Sequence, residues 1–398
     1  MPTPPPSQRP RQRPRLLVRI AALGLATVVS VGLAEIAVRT LVPPGHPLGA
    51  IGYATADGKP IKDLAEGAKL GFVVPVPQSA KPPRPRFMFA PNLTFHLTYQ
   101  DNDVLARDWF DERGWVATSI NSRGLRERES ITLDKPAGQR RIVCVGDSFT
   151  FGWGIPAELG WARLLEKELR KPAQTGATEN DIRTVNCGAA GTVCIDEYVI
   201  GLEQRFVRYQ PDCVLLTICL NDLIPSSGLT VIDPVQPTGF ALLDLARGAF
   251  GRSPLQLDPE RDWVAELLAL PADQARASMM SHPSDKPFEA MWSQGVPQKF
   301  LRRCKAYCKA NEIRFGVILW PFLQELGEGQ HYPFQKLHDF VAADCAEAGI
   351  PFLDVLPMLH GTDAEDLWVT PADPHPNPLA QRLALPAIVD FTIELTDW

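Results

Sequence analysis

The sequence lacks the motifs that announce nucleotide or metal chemistry. It has neither a Walker pattern nor a GxGxxG fingerprint, so a phosphate-cradling site has no support. No pairs of ligands stand at zinc-site spacing; Cys304 and Cys308, four apart on a predicted helix, are also poorly placed for a disulfide. Positive charge is outnumbered over most of the chain. Residues 1–42 carry six arginines against one glutamate, a charge of +5, which leaves −11 on the remainder from a total of −6. A body that acidic excludes nucleic acid as a natural partner. There is no internal repeat, and no low-complexity tract beyond the proline-rich first 14 residues. Long uncharged runs are scarce too: residues 20–34 give 15 in a row, where a full membrane span needs about 20.

What is present suits a globular protein with a substantial core: 398 residues, 45% hydrophobic and 22% charged. The arginines precede the apolar run, Arg19 can snorkel to one interface, and Glu35 and Arg39 can sit at the other. This predicts a basic cytoplasmic tail (1–15), a transmembrane signal-anchor helix (16–42), and a body outside the cytoplasm. Gly32-Leu33-Ala34 also allows cleavage and secretion. A soluble amphipathic helix is the third reading. Of the eight cysteines, Cys144, Cys213 and Cys219 lie in or beside strand-like apolar runs, as small buried hydrophobes do. Cys187 and Cys194 flank a glycine-rich loop and are placed to bridge.

Residues 43–139 read as a linker and a small β-rich strap. Within them 43–91 is rich in proline and glycine, and 92–122 has the short aromatic and β-branched runs of an antiparallel sheet. From residue 140 strand alternates with helix. Strands are predicted at 142–145, 182–187, 213–219, 313–319 and 351–353; helices at 161–170, 197–209, 298–310, 334–348 and 379–395. Residues 225–297 read as an insertion with one helical piece at 263–270, the kind of long loop that serves as a lid. The alternation predicts a parallel, doubly wound α/β/α sandwich.

Four short polar motifs stand just beyond predicted strands, where open α/β sheets place their chemistry. Gly146-Asp147-Ser148 ends the first strand; the same residues also make ordinary turns. NCGAAG, residues 186–191, follows the second, and its glycines let backbone N–H groups approach a ligand. Leu220, Asn221 and Asp222 end the third; an asparagine amide is a good oxyanion donor or a simple cap. Asp373-Pro374-His375-Pro376-Asn377 precedes the closing helix. A serine nucleophile needs a base, and the base needs a partner that fixes its tautomer. His375 alone among the seven histidines has a carboxylate two positions earlier and prolines on both sides.

GDSFTFG, NCGAAG, LND and DPHPN, in this order, resemble the GDSL/SGNH hydrolase superfamily over residues 140 to about 395. The resemblance implies a flavodoxin-like sheet of five parallel strands, with Ser148 as nucleophile and His375 as general base. It implies an oxyanion hole from the Ser148 N–H, the Gly191 N–H and the Asn221 side chain, with no cofactor and no metal. INSRGLRE at 120–127, Glu35 and Arg39, and Trp320-Pro321 look like bacterial membrane-anchored members.

Two positions depart from the usual pattern. Cys219 stands where a glycine normally precedes Asn221, and the usual acid three residues before the histidine is replaced by Ala372. Asp373, at minus two, is the expected triad acid, with Asp366 or an absent acid as alternatives. The minus-two spacing resembles the polysaccharide O-acetyltransferase branch. The expected function is therefore an extracytoplasmic serine esterase acting on short-chain or O-acetyl esters. An acetyltransferase working on a cell-surface polysaccharide, and a non-catalytic glycan-binding protein on the same fold, are its alternatives.

Overall fold

The computed structural model describes residues 13–41, 51–61, 70, 72–75, 87–99, 107–127, 129–171, 181–189, 195–223, 295–371 and 373–398. They fall into two units. One holds the helix α1 (Arg13–Leu41), and the other holds everything described from Ile51 onward. The expected helix at 16–42 thus forms. However, no helix among the described residues is long and apolar enough to cross a membrane. Arg19, Glu35 and Arg39 all fall inside α1, which leaves only the 15-residue run uncharged, so the transmembrane expectation is not met.

In the second unit, residues 43–91 contribute more than a linker. Strands β1 (Ile51–Thr55), β2 (Pro60–Ile61), β3 (Val73–Pro75) and β4 (Phe87–Phe89) are too short to show a period in the sequence. They are joined by β5 (Thr94–Tyr99) and β6 (Trp115–Ser119). These make an antiparallel sheet in the order β2-β1-β5-β6, with β3 and β4 as a separate pair. In β5 burial alternates, as a sheet with one covered face requires. Phe95, Leu97 and Tyr99 point into a small core with Val116, Phe151, Ile155 and Val369.

The main sheet is parallel throughout. It comprises β7 (Arg140–Gly146), β8 (Ile182–Gly188), β9 (Cys213–Cys219), β10 (Arg314–Trp320) and β11 (Phe352–Asp354), in the order β11-β10-β9-β7-β8. This is the flavodoxin-like order, whose reversal point falls between β7 and β9. All of β9 is buried, as its unbroken run of apolar residues demands. Helices Trp161–Leu169 and Pro378–Thr396 pack together, as do Ile195–Gln204 and Val296–Ala310. The predicted helix at 197–209 breaks after Gln204 into a separate 3₁₀ turn, Phe206–Tyr209. The insertion 225–297 lies outside the described residues up to 294, its helical piece at 263–270 included, and the next helix already begins at Val296. Cys187 is a free, buried thiol and not half of a bridge; Cys194 lies outside the described residues.

The motif at 120–127 staples the two sheets together. Asn121 folds the turn by accepting the N–H groups of Arg123 (2.8 Å) and Leu125 (3.1 Å). Arg126 donates to the Ile155 carbonyl at 2.9 Å and lies over the Phe151 ring. Glu127, almost fully buried, accepts from Arg163 and from the Asn186 N–H. Burial pushes its carboxyl up from the ordinary range, against the opposing pull of Arg163. Arg163→Ala leaves that charge without its cation and should cost about 3 kcal/mol, read as a lower urea midpoint at constant m-value.

Candidate active site

The first strand delivers Ser148. β7 stops at Gly146, and Asp147 caps a single turn, Ser148–Phe151, by accepting the Phe149 N–H at 3.0 Å. Ser148 opens that turn, where a backbone N–H has no intrahelical acceptor. The turn lies directly on Gly188: a Cβ there would strike the Phe151 amide nitrogen, so only glycine allows the approach. Asn186 clamps the same junction. Its side chain donates to the Thr150 carbonyl and accepts from the Gly188 N–H, both at 2.9 Å.

The third strand delivers Asn221, in the 3₁₀ turn Leu220–Leu223. Asp222 is fully buried and accepts from the Cys219 N–H (3.0 Å) and the Tyr198 hydroxyl (2.8 Å), which ties the turn back to β9. Cys219 is the last residue of β9, an extended position that does not require the glycine usual there. Gly191 lies outside the described residues.

The candidate base, His375, and its candidate acid, Asp373, stand on a hairpin of β12 (Trp368–Thr370) and β13 (Asp373–Pro376). Side chains two apart on a strand share a face, so Asp373 and His375 point the same way. The minus-two spacing thus places both side chains on one face of β13. Asp373 Oδ1 accepts from His375 Nδ1, and His375 Nε2 lies 2.9 Å from Ser148 Oγ. The imidazole is flanked by the Phe149 and Trp153 rings, at 5.8 and 5.9 Å between centroids. Asn377 locks the end of the hairpin: it caps the closing helix through the Leu379 and Ala380 N–H groups and donates to the Asp366 and Trp368 carbonyls. Asp366, the alternative acid, is exposed, and what it offers Asn377 is its backbone oxygen. Of the other histidines, His338 is paired with Asp354 at 2.9 Å in the core.

One partner of the site had no signal in the sequence. The Tyr99 hydroxyl, on β5, donates to Asp373 Oδ2 at 2.8 Å. The regular alternation of LTFHLTY marks Tyr99 as inward-facing, but nothing local tells what it meets. Among the described residues, no group of three or more histidine, cysteine, aspartate or glutamate side chains could hold a metal ion.

The model of the GDSL-like lipase/acylhydrolase family matches residues 144–383, more than half of the chain. No curated protein matches. Similar solved structures include the lipase/acylhydrolase from Enterococcus faecalis, 14% identical over 64% of this chain and 96% of that one, with a TM-score of 0.36. The psychrotrophic esterase EstA from Pseudoalteromonas sp. is 14% identical over 65% and 100%, with a TM-score of 0.36. The acetylxylan esterase Axe2 from Geobacillus stearothermophilus is 14% identical over 66% and 97%, with a TM-score of 0.35.

Proposed function

The chain belongs to the GDSL-like lipase/acylhydrolase family, and from that premise we propose that it is a serine esterase cleaving short-chain or O-acetyl esters. The observation that carries this reading is the continuous hydrogen-bonded line from Ser148 Oγ through His375 to a buried Asp373. Ser148 Oγ attacks the acyl carbonyl while His375 Nε2 takes its proton, and Asp373 holds the other ring nitrogen as donor. The carbonyl oxygen becomes an oxyanion. The Ser148 N–H, the Gly191 N–H and the Asn221 amide are its donors in this reading. Collapse expels the alcohol with the proton held on His375 and leaves an acyl-serine. Water, deprotonated by the same imidazole, then releases the acid.

The second reading keeps the site and replaces water with an acceptor hydroxyl, as in an O-acetyltransferase on a cell-surface polysaccharide. Its motive is the aspartate two residues before the base. Incubating the purified protein with an aryl acetate, with and without an acetylatable glycan, separates the two. Acetate release unaffected by the glycan supports hydrolysis, acetylated glycan supports transfer, and neither product rules out both.

We further propose that the body works outside the cytoplasm. Five of the six arginines precede the apolar run, and Val18, Leu23, Val28 and Leu33 of α1 are more than 60% exposed, a surface that water does not favour. Accessibility of the body to protease in spheroplasts whose cytoplasmic membrane is intact is the expected result; protection until that membrane is broken would contradict it.

A further inference from the structure

The carboxylate of Asp373 is completely buried, and its two hydrogen-bond partners among the described residues come from opposite ends of the fold. His375 occupies Oδ1 and the Tyr99 hydroxyl occupies Oδ2. We propose that Tyr99 is a positioning residue of the active site, fixing the orientation and charge of Asp373 behind His375, so that the antiparallel sheet is part of the catalytic apparatus. The proposal rests on the reading of Ser148, His375 and Asp373 as a triad.

Three observations carry it. First, a buried carboxylate without compensation is costly, and Asp373 forms no ion pair with lysine or arginine among the described residues. Nor does a backbone N–H of the described residues reach its oxygens. On a strand the peptide groups run along the sheet, and the acid recruits its second donor from elsewhere. Second, Tyr99 is rigidly held. It ends β5, which lies between β1 and β6, and its ring stacks on Phe110 at 5.1 Å and 11°. Third, the phenol and the nucleophile segment are fitted to each other. Gly154 has φ +75°, and a Cβ there would come within 2.7 Å of the Tyr99 oxygen. Phe151, the last residue of the turn that Ser148 opens, packs in the same small core as Tyr99.

The titratable groups facing Asp373 are His375 on its own strand, Tyr99 on β5 and Tyr53 on β1. Burial, and next the charge of Asp373, push the Tyr99 hydroxyl well above its ordinary range, and the same two causes raise Tyr53. Tyr99 therefore remains a donor at any pH at which the protein works. Its hydrogen bond favours the ionised carboxylate. Losing it leaves the carboxylate's charge to His375 Nδ1 alone, which steadies the imidazolium, and catalysis, which needs the neutral imidazole, is lost at correspondingly higher pH on the acid side.

The test is Tyr99→Phe, which keeps the stacked ring. In the full chain, kcat/KM on an aryl acetate should fall about 10- to 100-fold at neutral pH, with the acid limb of the pH profile moved up. In an Asp373→Asn background the same change should cost no more than about twofold, because Tyr99 acts through that carboxylate. The His375 ring resonances, followed by NMR, should titrate at higher pH in Tyr99→Phe whether or not the protein turns over ester. An unmoved His375 midpoint, or equal costs in both backgrounds, overturns the proposal. Absence of all ester turnover in the wild-type chain would instead remove the triad reading, and the NMR titration would still decide whether Tyr99 governs Asp373.

Discussion

Ser148→Ala is expected to abolish turnover of a short-chain aryl ester, with a fall in kcat on the order of 10⁶-fold. On the proposed reading the rest of the site serves that one oxygen. His375 Nε2 stands 2.9 Å from it, and a one-turn helix held by Asp147, Asn186 and Gly188 presents it at the end of β7. Alanine keeps the Asp147 cap and the contact with Gly188, so the thermal midpoint and the near-ultraviolet dichroism should match the wild type. Retained activity in a folded variant would remove Ser148 as the nucleophile.

The second large effect belongs to the acid. Asp373→Asn should lower kcat about 10⁴-fold, the loss seen where a triad aspartate ceases to fix the tautomer of its histidine. Asparagine is close in shape to aspartate. It also presents its amide –NH₂ to one of two partners that are themselves donors, His375 Nδ1 or the Tyr99 hydroxyl. Asp366→Asn, at an exposed position, should leave kcat within about twofold. Steady-state kinetics on both variants decides between the two carboxylates, and the reverse order of effects would move the acid to Asp366.

Much of this is legible in the sequence, and the reason differs from residue to residue. β9 is legible to both ends because a strand covered on both faces is apolar throughout, and the bounds of its neighbours differ from those predicted by a residue or two. Ser148 and His375 were legible as types at the ends of elements. Asp373 was legible by position, but its orientation depends on β13 being extended, which a four-residue strand full of proline does not advertise. The partner of Tyr99 is not legible: its contact with Asp373 spans 274 residues, and such a pairing leaves no local period. Residues 43–91 misled for a related reason. Their strands are short and interrupted by proline and glycine, so the local signal reads as linker, while the pairing of β1 with β2 and β5, and of β3 with β4, makes them sheet. The transmembrane expectation rested on a 15-residue run that the charges inside α1 keep short.

The central claim is that Ser148 is an activated nucleophile, and a fluorophosphonate tests it without any assumption about substrate. Peptide mass spectrometry after treatment of the full chain should find the adduct on Ser148, with labelling lost in Ser148→Ala and slowed in Asp373→Asn. An unlabelled Ser148 in folded protein, or an adduct on another serine, would contradict the account.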